Sequence, residues 1–193
     1  MGKYLVCISG ASGSIYGIRT IQALTAGGHE VHLIVSAWGK RVLEQETNMA
    51  FAAWMAKLDF SRSNVHHPDD LGAPPASGSF RFDAAIVAPC SMNSIGAIAS
   101  GVSGNLIHRA GQVALKEGWP LLLVPRETPL SLINLRNLTA LAEAGAIILP
   151  ASPAFYHAPQ NMDDMINFVV GKILDRLSVA HDFNTIWKGL PQI

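Results

Sequence analysis

The sequence predicts a three-layer α/β fold, in which a mostly parallel β-sheet lies between two layers of helices. Short runs of apolar or β-branched residues recur along the chain, and segments of helical length, with apolar residues at every third or fourth position, separate them. Such alternation is typical of βαβ units, whose parallel strands are covered on both faces. The 193 residues, 49% of them hydrophobic, are enough for one domain with one core.

Each element follows from this pattern. Strands are predicted at residues 4–9, 30–35, 84–88, 121–124 and 146–149. Helices are predicted at residues 14–26, 37–46, 91–100, 105–116, 131–144 and 162–177, and glycines at 27, 28 and 145 end two of them. The stretch 57–79, which contains two histidines and a Pro-Pro pair, predicts a long loop. We expect a single domain over residues 1–193, whose last residues, about 15 of them, form an extension or an oligomer contact.

Composition narrows the class of protein. The 14 Lys and Arg residues balance 14 Asp and Glu residues, so no overall field attracts nucleic acid or an anionic membrane. The charged fraction of 15% is below the usual ~25%, which indicates that part of the surface is hidden in a homo-oligomer. Two cysteines, no signal-peptide pattern and no apolar run of ~20 residues predict a cytoplasmic protein without a disulfide framework or a membrane span.

The first turn of the chain predicts an anion site. Gly10-Ala-Ser-Gly13 joins the first strand to a helix that starts at Ser14. The unpaired N–H groups of a helix N-terminus attract phosphate, so we expect an anion cradle there. Polar clusters at 89–94, 125–129 and 153–159 follow later strands and should converge on the same crevice. A Gly-x-x-Gly turn, with Ser36 and no acid after the second strand, favours a mononucleotide such as FMN over a dinucleotide.

Charged side chains near the ends of the predicted elements supply a second anion site. Arg109 and Lys116 are seven residues apart on one helix and share a face, and Arg126 directly follows a strand. Together with Lys172, they suit one phosphate group. Glu127, next to Arg126, either orients these cations or delivers a proton. Glu46 is either a surface acid or a functional one.

Two other kinds of site are not predicted. The histidines at 66, 67, 108 and 157 match no closed Cys/His pattern and no His-Glu-x-x-His motif, so we expect no metal centre. The chain also has no Gly-x-Ser-x-Gly elbow, the motif that carries the nucleophile of many serine hydrolases.

Several motifs in order resemble those of the UbiX-type flavin prenyltransferases. They are Gly10-Ala-Ser-Gly13, Pro74-Pro-Ala-Ser-Gly-Ser79, Pro89-Cys-Ser91, Asn105-Leu-Ile-His-Arg-Ala110, Ala114-Leu-Lys-Glu117, Val124-Pro-Arg-Glu-Thr-Pro129 and Pro153-Ala-Phe-Tyr-His157. The resemblance runs from about residue 3 to residue 175. It implies a Rossmann or flavodoxin-like fold and a metal-independent transferase that moves a dimethylallyl group from dimethylallyl phosphate to N5 and C6 of reduced FMN. It also implies a dodecamer and a UbiD-type decarboxylase as recipient of the prenylated FMN.

The resemblance also assigns roles to residues. Contacts with FMN would come from Gly10, Ala11, Ser12, Ser36, Ser91, Met92, Asn93, Ser94 and Arg126. The phosphate of the donor would be bound by Arg109, Lys116, Arg126, Glu127, Tyr156 and Lys172. Ser12, Glu46, Lys116 and Glu127 form the implied catalytic set, in which the Ser12 hydroxyl lies near N5 and Glu46 assists proton removal. The chain departs from the family pattern at Leu71, at Gly118-Trp119 and at Lys172, where members often have Arg.

Two alternatives remain open at this point. One is an FMN-dependent cysteine decarboxylase of the same fold, which uses an early catalytic histidine and a Pro-Ala-Ser-Ala-Asn-Thr type of motif. Here the early histidines are His29 and His32, and Pro75-Ala-Ser-Gly-Ser79 diverges after three residues. The other is a flavin carrier or accessory subunit without catalysis, which would have no need of a site for a leaving phosphate.

Overall fold

The core of the computed structural model, which describes residues 1–58, 64–183 and 189, is a parallel sheet. Its strands are β1 (Lys3–Ile8), β2 (Glu30–Val35), β3 (Val65–His66), β4 (Ala84–Cys90), β5 (Leu121–Pro125) and β6 (Ile147–Ile148). They lie in the order β3-β2-β1-β4-β5-β6, and each neighbouring pair is parallel. This is the order of a doubly wound sheet of the Rossmann type, with its switch point between β1 and β4.

Helices cover both faces of the sheet. They are α1 (Ser14–Ala26), α2 (Ala37–Thr47), α3 (Phe51–Ala56), α4 (Met92–Ala99), α5 (Leu106–Glu117), α6 (Leu132–Glu143) and α7 (Met162–Arg176). The three-layer prediction is therefore confirmed, and the six predicted helices are found. Gly28 and Gly145 adopt positive φ after α1 and α6, as expected of glycines at helix ends.

Among the described residues, one strand and one α-helix were not predicted. The prediction of a loop over 57–79 is wrong at Val65–His66, which form β3 by pairing with Leu33 and Ile34 of β2. Helix α3 was also missed. Both are too short to show a period, and β3 depends on its pairing with β2, a partner distant in the sequence.

The core has two parts, one on each face of the sheet. Alternate residues of β1 separate them: Tyr4, Val6 and Ile8 face α1, α2, α3 and α7, whereas Leu5 and Cys7 face α4, α5 and α6. The segment β4 is buried along its whole length. Gly17 lets α1 approach β4, because an added Cβ would lie 2.2 Å from the carbonyl oxygen of Ala88. This close packing of α1 against β4 holds the start of α1 at the carboxyl edge of the sheet.

Other sequence-based expectations concern the cysteines and the chain end. Cys7 and Cys90 are free and buried, and burial raises the pKa of both thiols. Among the described residues, no helix is long and apolar enough to cross a membrane. The predicted C-terminal extension lies largely outside the described residues. Gly118, where the chain departs from the family pattern, ends α5 with φ of 67°, and Trp119 packs edge-on against Phe82.

Candidate functional site

Three helices begin at the wall of one cavity of about 430 Å³, at the carboxyl ends of β1, β2 and β4. Ser36, Ser91 and Asn105 are the N-caps of α2, α4 and α5. Each cap side chain accepts a backbone N–H of its own helix, over 2.9 Å, 3.3 Å and 3.0 Å respectively. A cap satisfies one of the four N–H groups that a helix start leaves unpaired. Three positive helix ends therefore point at one space, which suits a phosphate group.

Most of the residues predicted to contact FMN lie at this edge of the sheet. Five of them line the cavity: Gly10, Ser36, Ser91, Asn93 and Ser94. An added Cβ at Gly10 would lie 2.7 Å from the Cβ of Trp38, so glycine allows α2 to start close to the first turn. Met92 lies beside the cavity, in a neighbouring depression between α4 and α6.

The first turn itself is occupied by a side chain of the protein. The carboxylate of Glu46, at the end of α2, accepts hydrogen bonds from the Ser12 hydroxyl (2.6 Å), the Gly13 N–H (2.8 Å), the Ser14 N–H (2.8 Å) and the Ser14 hydroxyl (2.5 Å). The prediction of a phosphate cradle at this turn is thus wrong for the N–H groups of Gly13 and Ser14. The turn does hold an anion, but the anion comes from 32 residues further along the chain, where no local pattern could reveal it.

The same contacts set the ionisation of Glu46. Burial raises the pKa of its carboxyl, but the hydrogen bonds from the two serine hydroxyls and the two backbone N–H groups outweigh burial and hold the pKa below its ordinary value. Glu46 is therefore a charged cap of α1. The interpretation of Glu46 as a plain surface acid is excluded.

Arg126 joins this group from β5. Its Nε donates to the carbonyl oxygen of Ser12 over 3.2 Å. Hydrogen bonds thus connect Arg126, after β5, and Ser12, in the first turn, with Glu46 at the end of α2. Glu127 follows directly, and its carboxylate accepts the N–H of Thr128 over 3.1 Å. The structure therefore brings three of the four residues in the implied catalytic set, Ser12, Glu46 and Glu127, to one edge of the sheet.

Tyr156 and Lys172 form a second group around the ring of Phe168. The Tyr156 ring meets it edge-on with centroids 5.8 Å apart, and the ammonium of Lys172 lies 5.7 Å from its centroid. Lys172 also pairs with Asp175 over 3.4 Å, on the exposed side of α7.

Arg109 and Lys116 form a third group, on α5. Arg109 donates to the carbonyl oxygen of Ala76 over 3.1 Å, and Lys116 pairs with Glu117. Helical rise places Lys116 about 10 Å further along the axis than Arg109, away from the cavity. Since α5 and α7 pack on opposite faces of the sheet, one chain does not gather all the residues predicted to bind the donor phosphate.

Several residues that line the cavity were not predicted as site residues, among them Trp38, Asp69, Asn105 and His108. Asn105 carried a signal, because an asparagine directly before an apolar-periodic helix is a preferred N-cap. Asp69 belongs to the segment after β3, whose position no sequence pattern indicates. Trp38 and His108 lie in the first turns of α2 and α5, and only the convergence of these helices reveals them.

Comparisons with known proteins agree with this geometry. The family described as Flavoprotein matches residues 2–174. The flavin prenyltransferase UbiX of Aquifex aeolicus is 45% identical over 191 residues, which cover 98% of this chain and 100% of the relative. The structure of AnUbiX (PadA1) in complex with FMN and dimethylallyl pyrophosphate is 39% identical with a TM-score of 0.92, covering 98% of this chain and 99% of that one. A dodecameric FMN-dependent UbiX-like decarboxylase from Escherichia coli O157:H7 is 41% identical with a TM-score of 0.90, covering 97% and 100%.

Proposed function

Because this chain belongs to the UbiX family of flavin prenyltransferases, we propose that it transfers a dimethylallyl group from dimethylallyl phosphate to reduced FMN. The C–O bond of the donor breaks and phosphate leaves, while carbon 1 of the dimethylallyl group bonds to N5, which loses its proton. The donor double bond then takes up a proton as carbon 3 bonds to C6, and C6 loses its proton in turn. The observation that carries the proposal is the cavity at three helix starts, directly beside the group of Ser12, Glu46 and Arg126.

The cavity supports the binding of the FMN phosphate. The N-termini of α2, α4 and α5 supply N–H donors and positive dipole ends at the wall of the cavity, where Ser36, Ser91 and Ser94 also lie. The flavin ring would then extend toward the first turn, where Ser12 and Arg126 lie. Ala11 is buried directly after Gly10, so its backbone forms the floor of this turn.

The cationic residues support departure of the donor phosphate. Charge builds on the phosphate as the allylic C–O bond breaks, and preorganised cations stabilise that charge. We assign this role to Arg109, Lys116, Arg126 and Lys172. The Tyr156 hydroxyl would donate to the phosphate, and Glu127 would orient these cations or deliver a proton to the leaving phosphate. Glu46 would take up the proton released at C6, through Ser12 or directly.

The separation of these residues in one chain favours a site built from more than one subunit. The α5 residues of one protomer would complete the site that the β5 and α7 residues of another begin. The homo-oligomer that this arrangement requires would be a dodecamer, the assembly of the Escherichia coli relative. The product would pass to a UbiD-type decarboxylase in the cytoplasm.

The proposal is tested by anaerobic incubation of the protein with reduced FMN and dimethylallyl phosphate, followed by mass analysis of the extracted flavin. We expect the flavin mass to increase by one C5H8 unit. A parallel reaction with dimethylallyl pyrophosphate decides which donor is used. An unchanged flavin with both donors, in protein that binds FMN, would overturn the proposal and favour a flavin carrier. Release of carbon dioxide from a peptide with a C-terminal cysteine would favour the cysteine decarboxylase.

A further inference from the structure

His108 is a buried side chain of the cavity that none of the assigned roles uses. It lies in the first turn of α5 and is 4% exposed. Its Nε2 lies 3.2 Å from the Ser94 hydroxyl, whereas its Nδ1 is buried and has no hydrogen-bonding partner among the described residues. Folded proteins rarely leave a buried polar atom unpaired, so this nitrogen points to a ligand.

The hydrogen bonds around His108 indicate where its proton lies. Burial lowers the pKa of the imidazole, so the ring is neutral and carries one N–H. The Ser91 hydroxyl donates to that of Ser94 over 3.2 Å. The Ser94 hydroxyl then has its own hydrogen to donate, and the acceptor within reach is Nε2 of His108. A ring that accepts at Nε2 carries its hydrogen on Nδ1.

The surroundings of Nδ1 suit an acceptor with negative charge. Gly104 and His108 both line the cavity, and a Cβ added to Gly104 would lie 3.3 Å from Nδ1, so glycine keeps a side chain away from this atom. The start of α5, to which His108 itself belongs, adds its positive end to the same place. A donor at Nδ1 therefore complements the donors that the three helix starts already present.

We propose that His108 recognises the phosphate of FMN by donating a hydrogen bond from Nδ1–H. The proposal rests on the proposed function, because it takes FMN as the ligand of the cavity. His108 thereby distinguishes FMN from riboflavin, which lacks the phosphate, and the Ser91–Ser94 hydroxyl pair keeps the imidazole in the tautomer that can donate.

The test measures dissociation constants for oxidised FMN and for riboflavin by flavin fluorescence. His108→Leu removes the donor. His108→Asn keeps an N–H close to the position of Nδ1, and His108→Gln keeps one close to the position of Nε2. A hydrogen bond to a charged group corresponds to roughly a tenfold to hundredfold change in affinity. We expect His108→Leu and His108→Gln to weaken FMN by this factor while riboflavin changes less than threefold, and His108→Asn to retain most of the preference for FMN.

Each other outcome overturns the proposal. If His108→Gln keeps the preference and His108→Asn loses it, the ring acts through Ser94. If His108→Leu weakens the binding of both flavins equally, in protein whose thermal unfolding matches that of the parent, His108 stabilises the cavity but does not recognise the phosphate. If it weakens neither, the phosphate binds elsewhere. Failure of the proposed function can be distinguished from failure of this proposal, because the parent protein would then either not bind FMN or bind it without prenylating it. His29→Leu, directly before β2 at the opposite edge of the sheet, is the matched control.

Discussion

Glu46 offers a direct test of how the first turn is held. Replacing it with alanine removes the carboxylate that accepts from the hydroxyls of Ser12 and Ser14 and from the backbone N–H groups of Gly13 and Ser14. Two N–H groups at the start of α1 then have only water as a partner. Gln45→Ala, at the exposed neighbour on the same helix, is the matched control.

The expected cost follows from these contacts. Loss of a helix cap costs about 0.5–2 kcal/mol. Loss of a negative charge at a helix N-terminus adds about 0.3–1 kcal/mol. Because Glu46 is exposed, solvent screening keeps the sum of these two costs near the middle of its range, at about 2 kcal/mol. For a chain of this size, that lowers Tm by about 4–8 °C. Glu46→Gln keeps one acceptor oxygen without the charge, and we expect about half the effect.

The pH dependence has a definite sign. The pKa of Glu46 in the folded protein lies below its ordinary value of 4.5, so folding is favoured by the ionised form. The stabilisation is complete above pH 4.5 and is lost as the pH falls through the folded pKa. The difference in unfolding free energy between the parent and Glu46→Gln should thus be constant from about pH 7 to pH 5 and decrease below about pH 4.5.

Urea denaturation followed by circular dichroism at several pH values measures this difference. The reasoning is refuted if Glu46→Ala unfolds at the same urea concentration as the parent and as Gln45→Ala at neutral pH. It is equally refuted if the difference persists undiminished at the lowest pH at which the parent is folded.

Two further predictions concern the donor site and the packing of α1. Lys116→Ala should leave FMN binding unchanged and slow formation of the prenylated flavin by roughly a hundredfold, because it removes a charge that stabilises the leaving phosphate of the donor. Arg126→Ala should instead weaken the binding of FMN. If Lys116→Ala formed product at the parental rate, a separate donor site would be contradicted. Gly17→Ala should destabilise the fold by at least about 2 kcal/mol in thermal unfolding, because the added methyl group would overlap the carbonyl oxygen of Ala88 in β4. Gly96→Ala, inside α4, is the comparison: its added Cβ would lie 3.4 Å from Nδ2 of Asn137, so we expect a neutral or stabilising effect.

The elements that the sequence predicted correctly are those whose signals are local. Helices α4 and α5 begin where Ser91 and Asn105 cap them, and their apolar residues recur with the helical period. Each end was therefore placed within one residue. All the described strands except β3 were equally visible as apolar runs between helices.

What the sequence could not show depends on pairs distant along the chain. Glu46 reaches the first turn only because α2 runs back across the start of α1, and β3 exists only through its pairing with β2. The role of His108 depends on the distance between two helices, α4 and α5, which no spacing in the sequence fixes. The charged residues of the proposed donor site were predicted from their places near element ends, and the resemblance assigned them to the donor and added Tyr156. Their division over both faces of the sheet became visible only in the structure.

The contacts of Glu46 also bear on the chemistry proposed for it. A carboxylate that accepts four hydrogen bonds is a weak base, since each donor stabilises the ionised form. The Ser12 hydroxyl is the donor that a bound flavin would reach first, because Ser12 is exposed whereas Ser14 is buried. If Ser12 donated to the flavin in the proposed reaction, Glu46 would lose a donor, its pKa would rise and it would become a better acceptor for the proton from C6. Ser12 would thus couple occupation of the flavin site to the basicity of Glu46.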